Sequence, residues 1–161
     1  MATDMFLKLE GIKGESADKK YKGELEVESW SWGLSQSGNT HSATGSGSAK
    51  VSVNDLHITR YVDKASPTLV QYCTLGKHIP KGMMIVRKAG GDSQVEYIKI
   101  ELKDIMISSY QFGGSGSAER IMESISLNFG EFKYVYTEQL ANGGEGAKPE
   151  FAYNIAKNQT A

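Results

Sequence analysis

The fold class is indicated by a stretch near the middle of the chain, Ile98-Lys99-Ile100-Glu101-Leu102-Lys103-Asp104-Ile105-Met106-Ile107. Apolar residues alternate there with polar ones, which is typical of a half-buried β-strand because successive side chains point to opposite faces of a sheet. At Asp104 the apolar positions move from even to odd numbers. A β-bulge, which is one extra residue in a strand, changes this phase and bends the strand. The stretch therefore predicts a long, bent strand.

The same change of phase occurs twice more. The apolar positions of 51–53 change parity in 56–58, and those of 125–129 change parity in 132–136. Repeated bends in long strands favour a closed β-barrel. The alternative is that each change of phase marks a strand that ends and a new strand that begins.

One segment has the features of a helix. Ser66 is the expected N-cap, Pro67 suits the first turn, and Gly76 can end the helix. The apolar face expected between them consists of Leu69, Val70 and Cys73. Neither a linker nor an internal repeat divides the sequence. We therefore expect residues 1–161 to form a single, mainly β domain, a bent-strand β-barrel with one short flanking α-helix.

Composition argues against several partners. The 161 residues include 18 Lys and Arg against 19 Asp and Glu, so no strong net charge attracts nucleic acid or anionic lipid. The longest apolar run, 83–86, is far too short to span a membrane. The first residues contain neither a basic region nor an apolar region of a signal peptide. We expect a protein made in the cytoplasm, without membrane insertion, that needs another route if it is exported.

The sequence contains no arrangement typical of catalysis or metal binding. Cys73 is the single cysteine, so it cannot form an intramolecular disulfide, and we expect it to be buried in the core. The histidines at positions 41, 57 and 78 lack the spacing of metal ligands. A glycine-rich stretch at 45–50 precedes a predicted strand and not a helix, unlike a phosphate-binding loop. We therefore predict a protein that is not an enzyme and has no cofactor.

Two polar segments are candidates for contacts. Ten of fourteen residues are Ser, Thr or Gly in a predicted long exposed loop, which consists of Ser35, Gln36, Ser37, Gly38, Asn39, Thr40, His41, Ser42, Ala43, Thr44, Gly45, Ser46, Gly47 and Ser48. The second segment, predicted to be a hairpin turn, consists of Gly113, Gly114, Ser115, Gly116 and Ser117. Aromatic residues such as Trp30, Trp32 and Tyr110 either pack in the core or lie at subunit contacts.

Several short motifs together resemble those of the hemolysin-coregulated protein family. The signature-like stretch is Trp30-Ser31-Trp32-Gly33 followed by Ser35-Gln36-Ser37-Gly38. The other matches, in chain order, are Asp4-Met5-Phe6, Lys13-Gly14-Glu15-Ser16, Tyr61-Val62-Asp63-Lys64-Ala65-Ser66-Pro67, Gly76-Lys77-His78, Arg87-Lys88-Ala89-Gly90-Gly91, Val95-Glu96-Tyr97, Gly113-Gly114-Ser115-Gly116 and Leu127-Asn128-Phe129. They cover most of the chain.

The resemblance implies a subunit of the inner tube of a type VI secretion machine. Hexameric rings, similar to phage tail-tube rings, would stack into a tube inside a contractile sheath, carry a spike, be secreted and hold small effectors. On this view we predict that loop 35–48 contacts the next ring and that turn 113–117 contacts effectors in the lumen. The alternative is a monomeric β-barrel that binds a small apolar ligand in its interior.

Overall fold

The computed structural model describes residues 3–37, 50–88 and 94–161. In chain order, the strands are β1 Thr3–Leu9, β2 Leu25–Glu26, β3 Ser29–Ser31, β4 Leu34–Gln36, β5 Val51–Val53, β6 Leu56–Tyr61, β7 His78–Lys88, β8 Ile98–Gly113, β9 Met122–Tyr136, β10 Glu150–Asn154 and β11 Gln159–Thr160. The helix α1 spans Ser66–Leu75, between β6 and β7.

The two longest strands, β8 and β9, form an antiparallel hairpin at the centre of the main sheet. On the far side of β8 the order continues through β7 and β1 to β2. Strand β9 has two further partners, because residues 122–127 pair with β6 and residues 131–135 pair with β10. Strands β4 and β5 pair with each other in a separate two-stranded sheet.

The prediction of a mainly β chain with one short helix is confirmed, but the predicted barrel is not closed by strand pairing. Strand β2 pairs with β1, strand β3 pairs with β6, and no ladder joins β2 to β3 among the described residues. The chain itself connects the two edges. The Val27 N–H donates to the Met5 carbonyl at 3.0 Å, and the next residue, Glu28, donates to Thr59 at 2.9 Å.

The two changes of phase that were predicted as bulges in the long hairpin lie opposite each other and form one shared bend. Lys103 faces Glu131 and Ile105 faces Phe129, so the register is the same on both sides of Asp104 and neither strand has an extra residue. The prediction of bulges at these two positions was therefore wrong. Asp104 has a φ of 54°, a left-handed conformation that rotates the strand so that the other parity faces inward.

The remaining phase change and the true bulge lie elsewhere. Strand β5 ends at Val53 and β6 begins at Leu56, so the alternative of a strand that ends and a new strand that begins is correct there. The register between β8 and β9 shifts between Ile107 and Ser109, which places a bulge that the apolar pattern did not indicate. The alternation gives no signal of this bulge because Ser108 and Ser109 are both polar.

Part of the predicted loop is a strand. Ser35 and Gln36 belong to β4, with Gln36 opposite Val51 and Ser35 opposite Ser52. Backbone hydrogen bonds to β5 order this segment although its own side chains bury little surface. Residues 38–48 lie outside the described part of the chain.

The N-cap of the helix lies one residue before the predicted one. Ala65 is the N-cap and Ser66 is the first helical residue, because the Ser66 hydroxyl donates to Glu123 at 2.8 Å instead of capping the helix. Gly76 ends the helix with a φ of 61°, as predicted. Leu69 is fully buried, whereas Val70 is exposed, so the apolar face is narrower than predicted.

Inward-facing side chains from every long strand form one core under the sheet. Its largest fully buried apolar members are Leu7, Leu9, Ile12, Leu25, Leu56, Ile58, Leu69, Ile79, Met84 and Ile100. Trp30, Trp32 and Tyr110 are half-buried and pack against this core. All three therefore pack at the border of the core, and the alternative that they lie at subunit contacts stays a prediction.

Candidate interaction surfaces

The β8–β9 hairpin is longer than the core that it covers. Its strand β9 has 15 residues and, at about 3.3 Å per residue, a length along the strand of roughly 50 Å. Ile125, Leu127 and Phe129 in the middle are buried. The inward-facing row continues past them in both directions into exposed side chains. The hairpin therefore has a covered middle and two uncovered ends.

The first uncovered end is the hairpin-tip surface, which consists of Tyr110, Phe112, Ile121 and Met122. Phe112 is 66% exposed, although it lies in the same inward-facing row as Tyr110 and the two ring centres are 5.6 Å apart. The cavity beside these rings has a volume of about 550 Å³, and the described side chains that line it are all uncharged. The tip therefore combines exposed apolar side chains with two uncharged polar ones, Gln111 and Ser124.

A buried ionic cluster supports the base of this tip. Arg60 is 1% exposed and donates to Glu123 at 2.5 Å and to Asp63 at 2.6 Å. The Ser66 hydroxyl donates to the same Glu123 oxygen, which ties the start of α1 to β9. Burial, together with a hydrogen bond to Glu123, raises the pKa of Tyr110 to about 12. These groups bind one another, and their contacts fix the position of the hairpin.

The predicted effector-contact turn lies at the end of the same hairpin. Gly113 ends β8, and the next four residues form an exposed turn in which the Ala118 N–H donates to the Ser115 carbonyl at 3.1 Å. The Ser115 and Ser117 hydroxyls are 3.2 Å apart. The structure thus brings all five predicted residues together as a polar cap beyond the apolar tip.

The predicted stacking loop is described only at its start. Ser35 and Gln36 lie in β4 and Ser37 follows it, and all three are exposed. The other eleven residues of the prediction are outside the described ranges. The structure therefore places the start of this segment beside the second uncovered end of the hairpin.

This second end is an aromatic groove, which consists of Trp32, Leu34, Tyr134, Tyr136 and Phe151. Phe132 lies beneath it, with its ring centre 4.9 Å from Trp32 and 6.3 Å from Phe151. Phe151 is 53% exposed and Leu34 is 50% exposed. The groove has a volume of about 590 Å³, and Glu150 is the charged residue among the described residues that line it.

A third concave surface has a different chemistry. The outer faces of β1, β7, β8 and β9 enclose about 760 Å³ lined by lysines and glutamates in similar numbers. Lys103 lies 3.1 Å from Glu131 and lowers the pKa of that carboxyl, and Lys133 lies 3.5 Å from Glu150. Because the charges pair across neighbouring strands, this surface is the solvated face expected from the alternating sequence.

The cysteine and histidines do not form a site. Cys73 packs against the core but is only half-buried. The prediction that it is buried in the core was therefore correct in location only. His57 contacts the Ser126 hydroxyl at 2.8 Å, and His78 contacts Asp104 at 2.8 Å. No group of three or more potential metal ligands occurs among the described residues. His41 is outside them.

Comparison with known proteins identifies the family. Residues 6–136 match the family model described as type VI secretion system effector, Hcp. The chain is 45% identical to protein Hcp1 of Pseudomonas aeruginosa over 162 residues, which cover 100% of both proteins. The chain belongs to the Hcp family.

Solved Hcp structures have the same fold. The crystal structure of Hcp1 from Salmonella typhimurium superposes with a TM-score of 0.82 at 38% identity and covers 100% of each chain. A structure described as a type six secretion system protein superposes with a TM-score of 0.92 at 28% identity, covering 99% of this chain and 100% of the other. The predicted resemblance to hemolysin-coregulated proteins is therefore confirmed.

Membership of the Hcp family places the chain among the secreted tube proteins of type VI secretion systems, which are not a known enzyme family. No helix in the described ranges is long and apolar enough to cross a membrane. The sequence did not indicate the aromatic groove, because Tyr134, Tyr136 and Phe151 alternate just as buried residues do. The turn-rich segment 142–149 was the available sign that the strand before it has ended.

Proposed function

We propose that this chain is the structural subunit of the inner tube of a type VI secretion machine, with residues 1–161 acting as one tube-subunit domain. Six copies form a ring, and rings stack head-to-tail into a tube that is expelled from the cell. The observation that supports this proposal most is the full-length match, at 45% identity, to an Hcp protein.

The assembly needs two kinds of contact between copies. A ring requires a heterologous interface that closes on itself, and a tube requires a second head-to-tail interface that does not close. The two uncovered ends of the hairpin provide apolar surface suited to such contacts. The tube is built in the cytoplasm, and its partners are the contractile sheath, the spike protein and small effectors, with no part for nucleic acid or membrane insertion.

Native mass spectrometry and electron microscopy of the full chain test the ring. Because closure gives every copy two interfaces, we expect six subunits and ring-shaped particles with an open centre even in dilute protein. A dominant monomer at micromolar concentration would refute the proposal. It would favour the alternative of a monomeric β-barrel that binds a small apolar ligand in its interior.

Small effectors bind in the lumen at the polar turn of residues 113–117. A partner that binds only the folded state protects it by mass action, so effectors should be stabilised when the ring is present. Ser115→Trp adds bulk at an exposed position and should leave the ring intact while effectors no longer co-purify. Unchanged co-purification of every effector would exclude this turn.

The segment 35–48 contacts the next ring in the stack. Replacing residues 39–48 with a short Gly-Ser turn should cost the subunit little stability, because loop-closure entropy changes slowly with length. Intact rings with lost secretion are the expected outcome. Normal secretion, or collapse of the rings to monomers, would each contradict this assignment.

A further inference from the structure

A small apolar patch lies on the outer face of the main sheet, beside the charged concave surface. Phe6 on β1 and Ile85 on β7 are opposite each other, and their neighbours Leu7 and Met84 belong to the main core. Because side chains alternate along a strand, Phe6 and Ile85 point outward. They are nevertheless only 4% and 0% exposed, so another part of the chain covers them.

The cover is a segment between β1 and β2, residues 17–22, which we call the flap. Its Tyr21 ring stacks on the Phe6 ring with the centres 5.0 Å apart, and it packs with Ile85 in the same cluster. The other five side chains of the flap are half-buried or exposed. Tyr21 is therefore the buried side chain of the flap, which buries little apolar surface of its own.

Ionic contacts hold the flap on the sheet at two points. The Arg87 guanidinium of β7 donates to Asp18, with Nη1 3.1 Å from Oδ2, and Lys20 pairs with Glu96. Both partners on the sheet side, Arg87 and Glu96, are buried. Asp18 also accepts from the backbone N–H groups of Lys20 and Tyr21, each at 3.0 Å. One carboxylate thus shapes the flap and fixes it to the sheet.

The base of the flap is fixed by contacts that the flap does not share. The Gly14 N–H donates to the Gly23 carbonyl at 2.8 Å, and the Ser16 N–H donates to the Glu24 carbonyl at 3.1 Å. Gly14 is packed so closely that a Cβ atom there would lie 2.8 Å from Asp63 Oδ2. Gly23, by contrast, has a φ of 77° and no described atom within 4 Å of a Cβ. A glycine with open space around it suits a hinge.

We propose that residues 17–22 open and close on the outer face of the sheet while the rest of the subunit stays folded, and that the contact between Asp18 and Arg87 keeps them closed. A segment that buries few apolar groups opens at a lower free energy than the whole domain unfolds. Met83 packs against the covered cluster and also lines the charged concave surface. Opening therefore adds an apolar part to that surface. The inference does not depend on the proposed function.

A thiol under the flap measures its opening. Ile85→Cys, made in a Cys73→Ser chain, places a single thiol where the flap covers it, and a thiol reagent labels it when the flap is open. Adding Asp18→Asn keeps the shape of the side chain but removes its charge. Because a hydrogen bond between charged groups is lost, labelling should become at least about 10-fold faster.

Two further substitutions in the flap complete the comparison. Lys20→Gln removes the second ionic contact at an exposed side chain and should also make labelling faster. Lys19→Gln is the matched control, because Lys19 is an exposed lysine of the same flap without an ion pair to a described residue. It should be labelled at the rate of the parent chain, within about twofold.

The dependence on urea separates local opening from unfolding of the whole subunit. The effect of urea scales with the surface that is exposed, so opening of six residues should make the labelling rate nearly independent of urea below the unfolding transition. If Ile85→Cys does not fold, hydrogen exchange of the Tyr21 backbone N–H in the wild-type and Asp18→Asn chains gives the same comparison.

Three results would overturn the proposal. The first is a labelling rate that Asp18→Asn leaves unchanged, and the second is a Lys19→Gln control that is labelled as fast as Asp18→Asn. The third is a rate that rises with urea as steeply as global unfolding does, since Ile85 would then be uncovered only when the subunit unfolds. None of these results bears on whether the chain forms a ring.

Discussion

The middle and the ends of the β8–β9 hairpin have the same alternating sequence but opposite surroundings. Leu127 in the middle is completely buried, whereas Phe112 at one end is 66% exposed and Phe151, beside the other end, is 53% exposed. Alternation indicates which face of a strand is apolar, because side chains point alternately to the two faces. It does not indicate whether that face is covered by the same chain.

The cover comes from elements that are distant in sequence. Strand β6 and the segment between β2 and β3 close the middle of the hairpin, and α1 packs against β8. Strand β6 also pairs with Met122, and the start of α1 contacts Glu123, so these elements reach the base of the tip but leave Phe112 exposed. Phe112 and Phe151 therefore remain exposed in the subunit, whereas the middle of the hairpin is buried within it.

The largest effect on stability is expected where the middle meets the tip, at the buried pair of Arg60 and Glu123. Arg60→Met leaves the carboxylate of Glu123, which has no exposed side-chain surface, without its cation. Removal of one partner of a buried ion pair costs about 3–5 kcal/mol. Urea unfolding of the variant should show a loss of this size.

A double variant separates the cost of an unpaired charge from the loss of packing. Arg60→Met with Glu123→Leu replaces both charges by apolar groups and should recover much of the stability, because an apolar pair of similar volume is often no worse than the ion pair. If the double variant were as unstable as Arg60→Met alone, packing and not charge would explain the loss.

The next prediction compares the stability lost by truncating a side chain in the middle of the hairpin with that lost at its tip. Leu127→Ala should lower the free energy of unfolding by about 2–5 kcal/mol, the cost of a cavity at a buried leucine. Phe112→Ala, on the same hairpin, should change it by less than about 0.5 kcal/mol. Urea unfolding measures the free energy of both variants. Equal losses would show that the tip is covered within the subunit.

The sequence predicted the features that depend on local chemistry. The mainly β class, the helix that ends at Gly76, the hairpin turn at 113–117 and the family resemblance all follow from residues close together in the chain. The sequence could not distinguish one shared bend from two bulges, because Asp104 and Gly130 lie on different strands and only the register shows that they face each other.

The contact surfaces were harder to predict than the fold. The polar turn and the start of the 35–48 segment stand out by composition. The aromatic groove does not, since it combines Trp32 and Leu34 with residues more than 95 positions away. Burial in a distant contact is a tertiary property that a local pattern does not contain.

A smaller effect is expected from added volume. A Cβ atom at Gly82 would lie 2.7 Å from the Ile105 Cδ1 atom and 3.0 Å from the Lys8 carbonyl, so Gly82→Ala should cost about 1–3 kcal/mol. At Gly113 a Cβ meets nothing within 4 Å, and Gly113→Ala should be close to neutral. Thermal unfolding of both variants provides the measurement. A neutral Gly82→Ala would show that the middle is packed more loosely than the structure indicates.

The smallest effect concerns a region that is neither the middle nor an end of the hairpin. It is the cluster of Phe6, Tyr21 and Ile85, which lies outside the main core. Ionic contacts secure this cluster. Arg87 pairs with Asp18 and with Asp4, and its guanidinium lies 5.0 Å from the centre of the Phe6 ring. The hydrogen bond from Arg87 lowers the pKa of Asp18 below its ordinary value.

A carboxyl whose pKa is lower in the folded state stabilises the fold above its unfolded pKa, near 3.9, and this contribution is lost as the pH falls through the lower, folded value. Asp18→Asn should therefore be less stable than the wild type at pH 7, with a difference that shrinks below about pH 4. Arg87→Met removes the partner and should also weaken the acid dependence. Urea unfolding at several pH values measures both effects. An Asp18→Asn curve that runs parallel to the wild type down to pH 2 would mean that Asp18 is not paired, and that apolar packing alone holds this outer cluster as it holds the middle of the hairpin.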